Sequence, residues 1–378
     1  MSTLKVGGIR GVSASSDAIT VANDGTCTAN ITSIGDGQLS NRNIIINGGM
    51  MVNQRYGDTA NTPTDGKYTM DRWQAWMSTN SKFSVTRSDD HPDDFDKSLL
   101  VTSLSAATVT ADHEHGITTK IEGQNMARLA FGTSSAKSAT LSFYVKSSLT
   151  GTFGGLVANS ALNMSYVFSY TVDSANTWER KTITIPPTTS GTFLGGSSHG
   201  LQVHFEFGVG SNRTAAVGWQ TNTSVRGVSS QVNLIATNAA TWRMTGLQLE
   251  VGTTATDFEH RSYGQELALC QRYYYKHAEG NNKDFGAGGY YTSGLAFGST
   301  FFPTTMRVAP AMEHTTGTDY YGVYRDGALD GFNNLVLHSA HENSCAFDSG
   351  TGTSGTAGHA GRFVLNNASA YLAFTAEL

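Results

Sequence analysis

The stretch "LQVHFEFGVG", Leu201 to Gly210, decides the fold. Leu201, Val203, Phe205 and Phe207 occupy every second position, which sets all four on one face of an extended chain. Working outward, the same alternation recurs in "SATLSFYVKSS" with Leu141, Phe143 and Val145, and in "NMSYVFSYTVDS" with Met164, Tyr166, Phe168, Tyr170 and Val172. It recurs again at Ile183 and Ile185, which stop at Pro186-Pro187, and from Trp242 and Met244 to Leu247, Leu249 and Val251. Clusters of Gly, Asn, Ser and Thr bound each run, as half-buried antiparallel strands require. Roughly eight to ten such strands without a helical interruption predict a jelly-roll β-sandwich over residues 42–262. Trp73, Trp76, Trp178 and Trp242 are expected in its core.

The flanks are less regular. Residues 1–41 form a short polar segment with a hairpin signal, Ile19 and Val21 before Asn23-Asp24-Gly25. So short a piece buries no core of its own and needs a partner or copies of itself. In "NRNIIINGGMMVNQRYG" (41–57), Ile44-Ile45-Ile46 reads as a buried strand that Gly48-Gly49 bends into the sandwich. The spacing of Leu267, Cys270 and Tyr274 predicts a helix from Tyr263 to His277, closed by Gly280, within a connecting element over 263–280. Residues 281–378 read as a C-terminal β-sandwich whose last strand, with Tyr371, Ala373 and Thr375, ends in a sheet. The fold class is therefore mainly β, with one short connecting helix.

Composition narrows the chemistry. Among 378 residues only 15% are charged, glycine numbers 42 and proline 6, and the net charge is −5. Without a basic run, nucleic acid is not an expected partner. No apolar run is long enough for a membrane span, and the N-terminus lacks the blocks of a signal peptide. The odd, scattered cysteines Cys27, Cys270 and Cys345 make no disulfide framework. A neutral, hydroxyl-rich surface suits hydroxyl-rich partners.

Candidate chemistry is sparse. Gly48-Gly49 lacks the lysine and the helix of a phosphate loop. His113 and His115 share a strand face but signal no third metal ligand. The acidic run Asp89 to Asp96 lacks calcium-loop spacing. Glu206, Glu250, Asp257 and Glu259 are the carboxylates a glycan hydrolase would recruit, yet no pairing is signalled. Catalytic residues, metals and cofactors are therefore expected to be none. Aromatics carry the stronger signal: Trp219 in a loop-like context, and Tyr290, Tyr291, Tyr320, Tyr321 and Tyr324 among turn residues, offer faces on which a sugar could stack.

Several blocks carry a family likeness. "MSTLKVGGIRG…DAITVANDGTCTAN", "NRNIIINGGMMVNQR" and "YTMDRWQAW" resemble the front of fibre proteins of tailed bacteriophages, especially marine and cyanobacterial ones. "MTGLQLEVGTTATDFEHRSYGQELALCQRYYYKH" is similar to the junction that closes their jelly-roll, carbohydrate-binding-like domain, and "NNASAYLAFTAEL" to their last strand. The resemblance implies a homotrimer attached through its N-terminal segment to other virion proteins of tail or capsid. Its distal β domain would meet host cell-surface polysaccharide, without catalysis. It also implies synthesis in the host cytoplasm, release by lysis and a place on the virion, most simply in a tail fibre. A purely structural capsid fibre, decoration or tail adaptor, and a glycan depolymerase, are the alternatives.

Overall fold

The computed structural model describes residues 8–9, 19–21, 27–29 and 40–378. Strands β1 (Gly8–Ile9), β2 (Ile19–Val21) and β3 (Cys27–Ala29) make an antiparallel three-stranded sheet with Val21 opposite Cys27. The expected turn at Asn23–Gly25 lies outside the described residues, as does most of the 1–41 segment.

The next strands are β4 (Tyr68–Met70), β5 (Trp73–Met77), β6 (Phe83–Ser88), β7 (Ser98–Ser103), β8 (Glu114–Glu122) and β9 (Ala139–Ser147). There follow β10 (Gly151–Asn159), β11 (Ser165–Val172), β12 (Glu179–Ile185), β13 (His199–Val209), β14 (Gly218–Gln220) and β15 (Thr241–Val251). They pair antiparallel into a seven-stranded sheet, β14-β11-β10-β13-β8-β5-β4, and a five-stranded sheet, β12-β9-β15-β7-β6.

Alternation explains why the sheets face each other. Leu201, Val203, Phe205 and Phe207 of β13 are fully buried. Phe205 meets Phe143 of β9 at 5.0 Å between ring centroids, and Phe207 meets Trp242 of β15 at 5.0 Å. The Trp242 indole donates to Tyr170 Oη at 3.0 Å, so this polar handle of the aromatic core is satisfied. Burying each phenylalanine stabilises the sandwich by roughly 2–3 kcal/mol. Two of the four expected core tryptophans differ: Trp76 lies on the outer face of β5, and half-buried Trp178 donates to Asp90 at 3.1 Å.

The triple isoleucine is not a strand, which corrects the expectation for this segment. It runs extended beside β15, where a bulge at Thr245–Gln248 with Gly246 at φ +64° interrupts the regular ladder. Ile44 N–H donates to Leu249 at 2.9 Å and Leu247 N–H to Gly48 at 3.0 Å. The Asn43 side chain spans the intervening groups, donating to Leu247 O and accepting from Leu249 N–H. Side-chain bonds thus replace rungs of a ladder. Ile44 and Ile45 are buried and Ile46 half-buried, after which Asn47, at φ +59°, turns the chain. A Cβ on Gly48 would fall well inside contact distance of the Leu247 carbonyl oxygen. Gly48→Ala is expected to destabilise by about 2–3 kcal/mol in urea titration. Gly264→Ala, in open space on the helix below, should stay within about 0.5 kcal/mol of the parent. Equal midpoints for the two variants would refute this close approach.

The helix spans Tyr263–Gln271, shorter than expected. Ser262 caps it: its Oγ accepts from Gln265 N–H, while the Gln265 side chain accepts from Ser262 N–H, a full capping box. Tyr274, expected in the helix, instead opens β16 (Tyr274–Glu279), because aromatics favour strands and a partner edge is available. The remaining strands are β17 (Lys283–Thr292), β18 (Leu295–Phe301), β19 (Ala311–His314), β20 (Tyr321–Arg325) and β21 (Ala328–Phe332). β22 (Leu335–Ala340), β23 (Ser344–Ser349), β24 (Ala360–Leu365) and β25 (Tyr371–Thr375) complete the chain. They build a three-stranded sheet, β16-β25-β19, and a seven-stranded sheet, β21-β20-β24-β17-β18-β23-β22. Phe285, Phe347, Phe363, Tyr321 and Phe374 fill the core of this second unit. Buried Cys270 and Cys345 are free thiols.

A charged latch joins the two units. Arg72, 1% exposed, donates to Lys120 O at 2.5 Å, stacks 3.5 Å from the Tyr273 ring centroid and pairs with Glu377. Arg55 reaches the same carboxylate at 3.1 Å, and Arg307 bonds the Ala376 and Glu377 carbonyls at 2.7 Å each.

Candidate functional site

Three places merit description. The first is the outer face of the C-terminal seven-stranded sheet. Its ladder runs Gly289–Phe297–Asp348–Val336 in one row and Tyr324–Arg362–Ala287–Ser299–Ala346 in the next. Because alternate residues share a face, these side chains point outward together. The Tyr291 ring, 73% exposed, lies edge-on to Phe297 at 5.7 Å, and Phe297 meets His338 at 5.1 Å. His338 Nδ1 sits 3.6 Å from Asp348. Phe301, 77% exposed, ends the same strand face, and the Arg362 guanidinium covers Tyr324 at 4.6 Å. Small residues between the rings leave a flat aromatic platform with hydroxyl, imidazole and carboxylate groups among the rings.

Of the tyrosines singled out from the sequence, this face gathers Tyr291 and Tyr324. Tyr290 and Tyr321, expected to be exposed, are buried. Tyr290 points into the core with its hydroxyl on Asp330 at 2.5 Å, and burial together with Asp330 raises its pKa to about 12. Tyr321 stacks on Phe332 and donates to Thr315 O at 2.7 Å. Tyr320 is half-buried against the same core. Trp219 belongs to the other unit and lies in edge strand β14, not a loop. Its indole donates to Pro186 O at 3.0 Å, and its ring packs edge-on to Phe131 and Tyr166, both at 5.5 Å. The sequence reading missed Phe297, Phe301 and His338. The signal for the two phenylalanines was an inverted alternation in "LAFGSTF", small residues inward and large ones out.

The second place is a cleft of about 750 Å³ between the units. Residues 55–68 form one wall, and Met312, Glu313, His314 and Tyr371 the other.

The third is a covered polar cluster on the outer face of the larger sandwich sheet. Trp76 opposes Gly116, and Gly116 opposes Glu206. Trp76 Nε1 donates to Glu114 Oε1 at 2.7 Å, and Arg226, from the segment after β14, pairs with Glu114 at 2.8 Å. Glu206 is fully shielded, neither of its oxygens has a hydrogen-bond partner among the described residues, and His204 Nδ1 stands 3.6 Å away. Burial, reinforced by Glu114 and opposed by Arg226, pushes the Glu206 carboxyl well above the usual range. The desolvation that holds Glu206 neutral also holds His204 neutral.

The other carboxylates have structural partners. Glu250 accepts from Thr256 N–H and Oγ1 and from Gln248, and Glu259 accepts from Asn43 N–H at 3.0 Å. Asp89 pairs with Lys97, and Asp90 with Lys146 and Arg243. His113 and His115 lie edge-on at 5.7 Å, and burial lowers His115 to about 4. Among the described residues no three His, Cys, Asp or Glu side chains converge as a metal centre would need, and no helix is long and apolar enough to cross a membrane.

No family model and no curated protein matches the chain. Solved structures similar to it include the enzymatically active domain of tailspike protein 4 of bacteriophage CBA120, at 13% identity and a TM-score of 0.28 over 50% of this chain. The chain spans 21% of that tailspike chain's length. A family 11 carbohydrate-binding module from Clostridium thermocellum, in complex with a β-1,3-1,4-mixed-linked tetrasaccharide, aligns at 14% identity and a TM-score of 0.27. It covers 53% of this chain and 98% of its own. A xylan-binding domain of carbohydrate-binding module family 22 aligns at 11% identity and a TM-score of 0.26, over 54% and 99%. At these scores the likeness carries neither a fold assignment nor a function to this chain, whose mainly β, antiparallel architecture stands on its own strands and registers.

Proposed function

We propose that the chain is a virion fibre protein that binds host cell-surface glycan through the outer face of its C-terminal sheet, without catalysis. The observation that carries this is the flat exposed platform of Tyr291, Phe297 and His338, with Phe301 and Tyr324 on the same face. Aromatic rings exclude water from the apolar faces of sugars, while Asp348 and Ser299 offer hydrogen bonds to hydroxyls. Structural partners for Glu250, Glu259 and Glu114 favour a binding role over hydrolysis. The N-terminal segment would attach the fibre to tail or capsid proteins, and a homotrimer would multiply weak contacts by avidity.

A glycan array with the full chain, followed by titration of the best hit, tests the reading. Tyr291→Ala and Phe297→Ala are each expected to weaken binding about 5- to 10-fold, the worth of one stacked ring. Failure of the array and of competition with adsorbing phage would leave a purely structural virion part. Reducing ends released from host polysaccharide would overturn the non-catalytic part.

A further inference from the structure

We propose that the cleft between the two β units is a second saccharide site, for a short neutral oligosaccharide, and that its occupant fastens the units together. The proposal rests on the glycan reading but uses different residues. At about 750 Å³ the cleft lies within the usual range of ligand sites. Each wall contributes a tyrosine, Tyr56 from the sandwich side and Tyr371 from β25. Tyr56 is 42% exposed, so its ring is open to a ligand. Thr62, Thr64, Glu313 and His314 supply hydroxyls, a carboxylate and an imidazole between them.

Charge selects the ligand class. Arg55 does not offer a free guanidinium: Glu377 holds it at 3.1 Å, the Tyr274 ring lies 3.5 Å beneath it and Glu313 stands 3.8 Å away. Lys67 is exposed and has no ion-pair partner among the described residues, and Glu313 lies on the opposite wall. Burial keeps His314 neutral at physiological pH. A phosphate or a polyanionic sugar would find only the solvent-exposed Lys67 ammonium and would meet the Glu313 carboxylate, whereas a hydroxyl-rich neutral chain finds donors, acceptors and two rings. Because the walls belong to different units, a ligand touching both binds only their docked arrangement and stabilises it by mass action.

Calorimetric titration of the full chain with neutral gluco-, galacto- and xylotetraoses, with tetragalacturonate as the charged control, decides the matter. Saturable binding of a neutral tetraose is expected, weakened about tenfold or more by Tyr56→Ala and within about threefold of the parent for Tyr56→Phe. The same binding should survive Tyr291→Ala, and the bound ligand should raise the unfolding temperature. Binding lost on Tyr291→Ala but indifferent to Tyr56→Ala would overturn the cleft and leave the platform standing. Preference for tetragalacturonate, or no neutral tetraose bound, would overturn the cleft site as well. Loss on Tyr56→Ala alone, with an array that ignores Tyr291→Ala, would keep the cleft and remove the platform.

Discussion

Glu377→Ala should lower the unfolding free energy by about 3–5 kcal/mol, because it strands a buried guanidinium. Arg72 is 1% exposed, enclosed by the Tyr273 ring, the Lys120 carbonyl and the Glu377 carboxylate. Burial is the largest single influence and acts against its charge, but Glu377, first among several neighbours that oppose it, helps to leave Arg72 holding its proton more firmly than a free arginine. Among the described residues Arg72 has no other ion-pair partner, so without the carboxylate it keeps only the Lys120 carbonyl and the Tyr273 ring, and Arg55 loses its 3.1 Å partner in the same step. The Glu377 main-chain carbonyl that accepts from Arg307 is kept in the variant, so the loss reports the carboxylate alone. Calorimetry should show the transition on the order of 5–10 °C lower and split as the units uncouple. The paired replacement Arg72→Met with Glu377→Leu should recover most of the loss, since apolar side chains of similar volume need no partner. A loss below about 1 kcal/mol for Glu377→Ala would place the contact among ordinary surface pairs and refute the latch.

What the sequence disclosed follows from how many constraints each segment carries. β9, β11, β13 and β15 have one buried apolar face, so period 2 displays them directly, and Phe205 against Phe143 completes what alternation foretells. Tyr274 was decided elsewhere. Helical spacing suits it locally, but β25 supplies an edge opposite it, Tyr274 facing Thr375, and long-range pairing overrides local spacing. The doublets Tyr290-Tyr291 and Tyr320-Tyr321 give no phase, because identical neighbours leave either one free to face inward. β18 is subtler. A Cβ at Gly298 would meet the Phe347 and Phe363 rings, so the inner face of that strand has room only for small residues. Phe297 and Phe301 are therefore turned outward, opposite to the usual partition, and the exposed aromatic platform comes from that inversion. The covered cluster at Glu206 was equally hidden. Its partner Arg226 comes from a segment without periodicity, and only the folded register sets Trp76, Gly116 and Glu206 side by side.

Glu206→Gln should stabilise the protein increasingly as pH rises, and the sign follows from proton counts. In the folded chain burial keeps the carboxyl protonated well above its ordinary value of 4.5, whereas the unfolded chain releases the proton near that value. Between the two, the folded state binds more protons, so stability falls with rising pH by about 1.4 kcal/mol per unit. Asp71, raised chiefly by burial, acts in the same direction. Histidines oppose them at lower pH. His115 and His199 are lowered to about 4 and His204 is lowered well below its ordinary value, so the unfolded chain holds the extra protons below 6.5 and stability there rises with pH. Above about 6.5 these imidazoles are silent and the carboxyls govern the slope, until buried Cys270 adds its own loss above about 9. Glutamine keeps the shape of Glu206 and cannot ionise beside Glu114, which Arg226 and Trp76 continue to hold. Urea unfolding should therefore find Glu206→Gln about 2 kcal/mol or more stabler than the parent at pH 8, and near parity at pH 4. An equal difference at both pH values would show that the buried carboxyl keeps its proton in neither state or in both, and that the cluster under Arg226 does not set the alkaline limit.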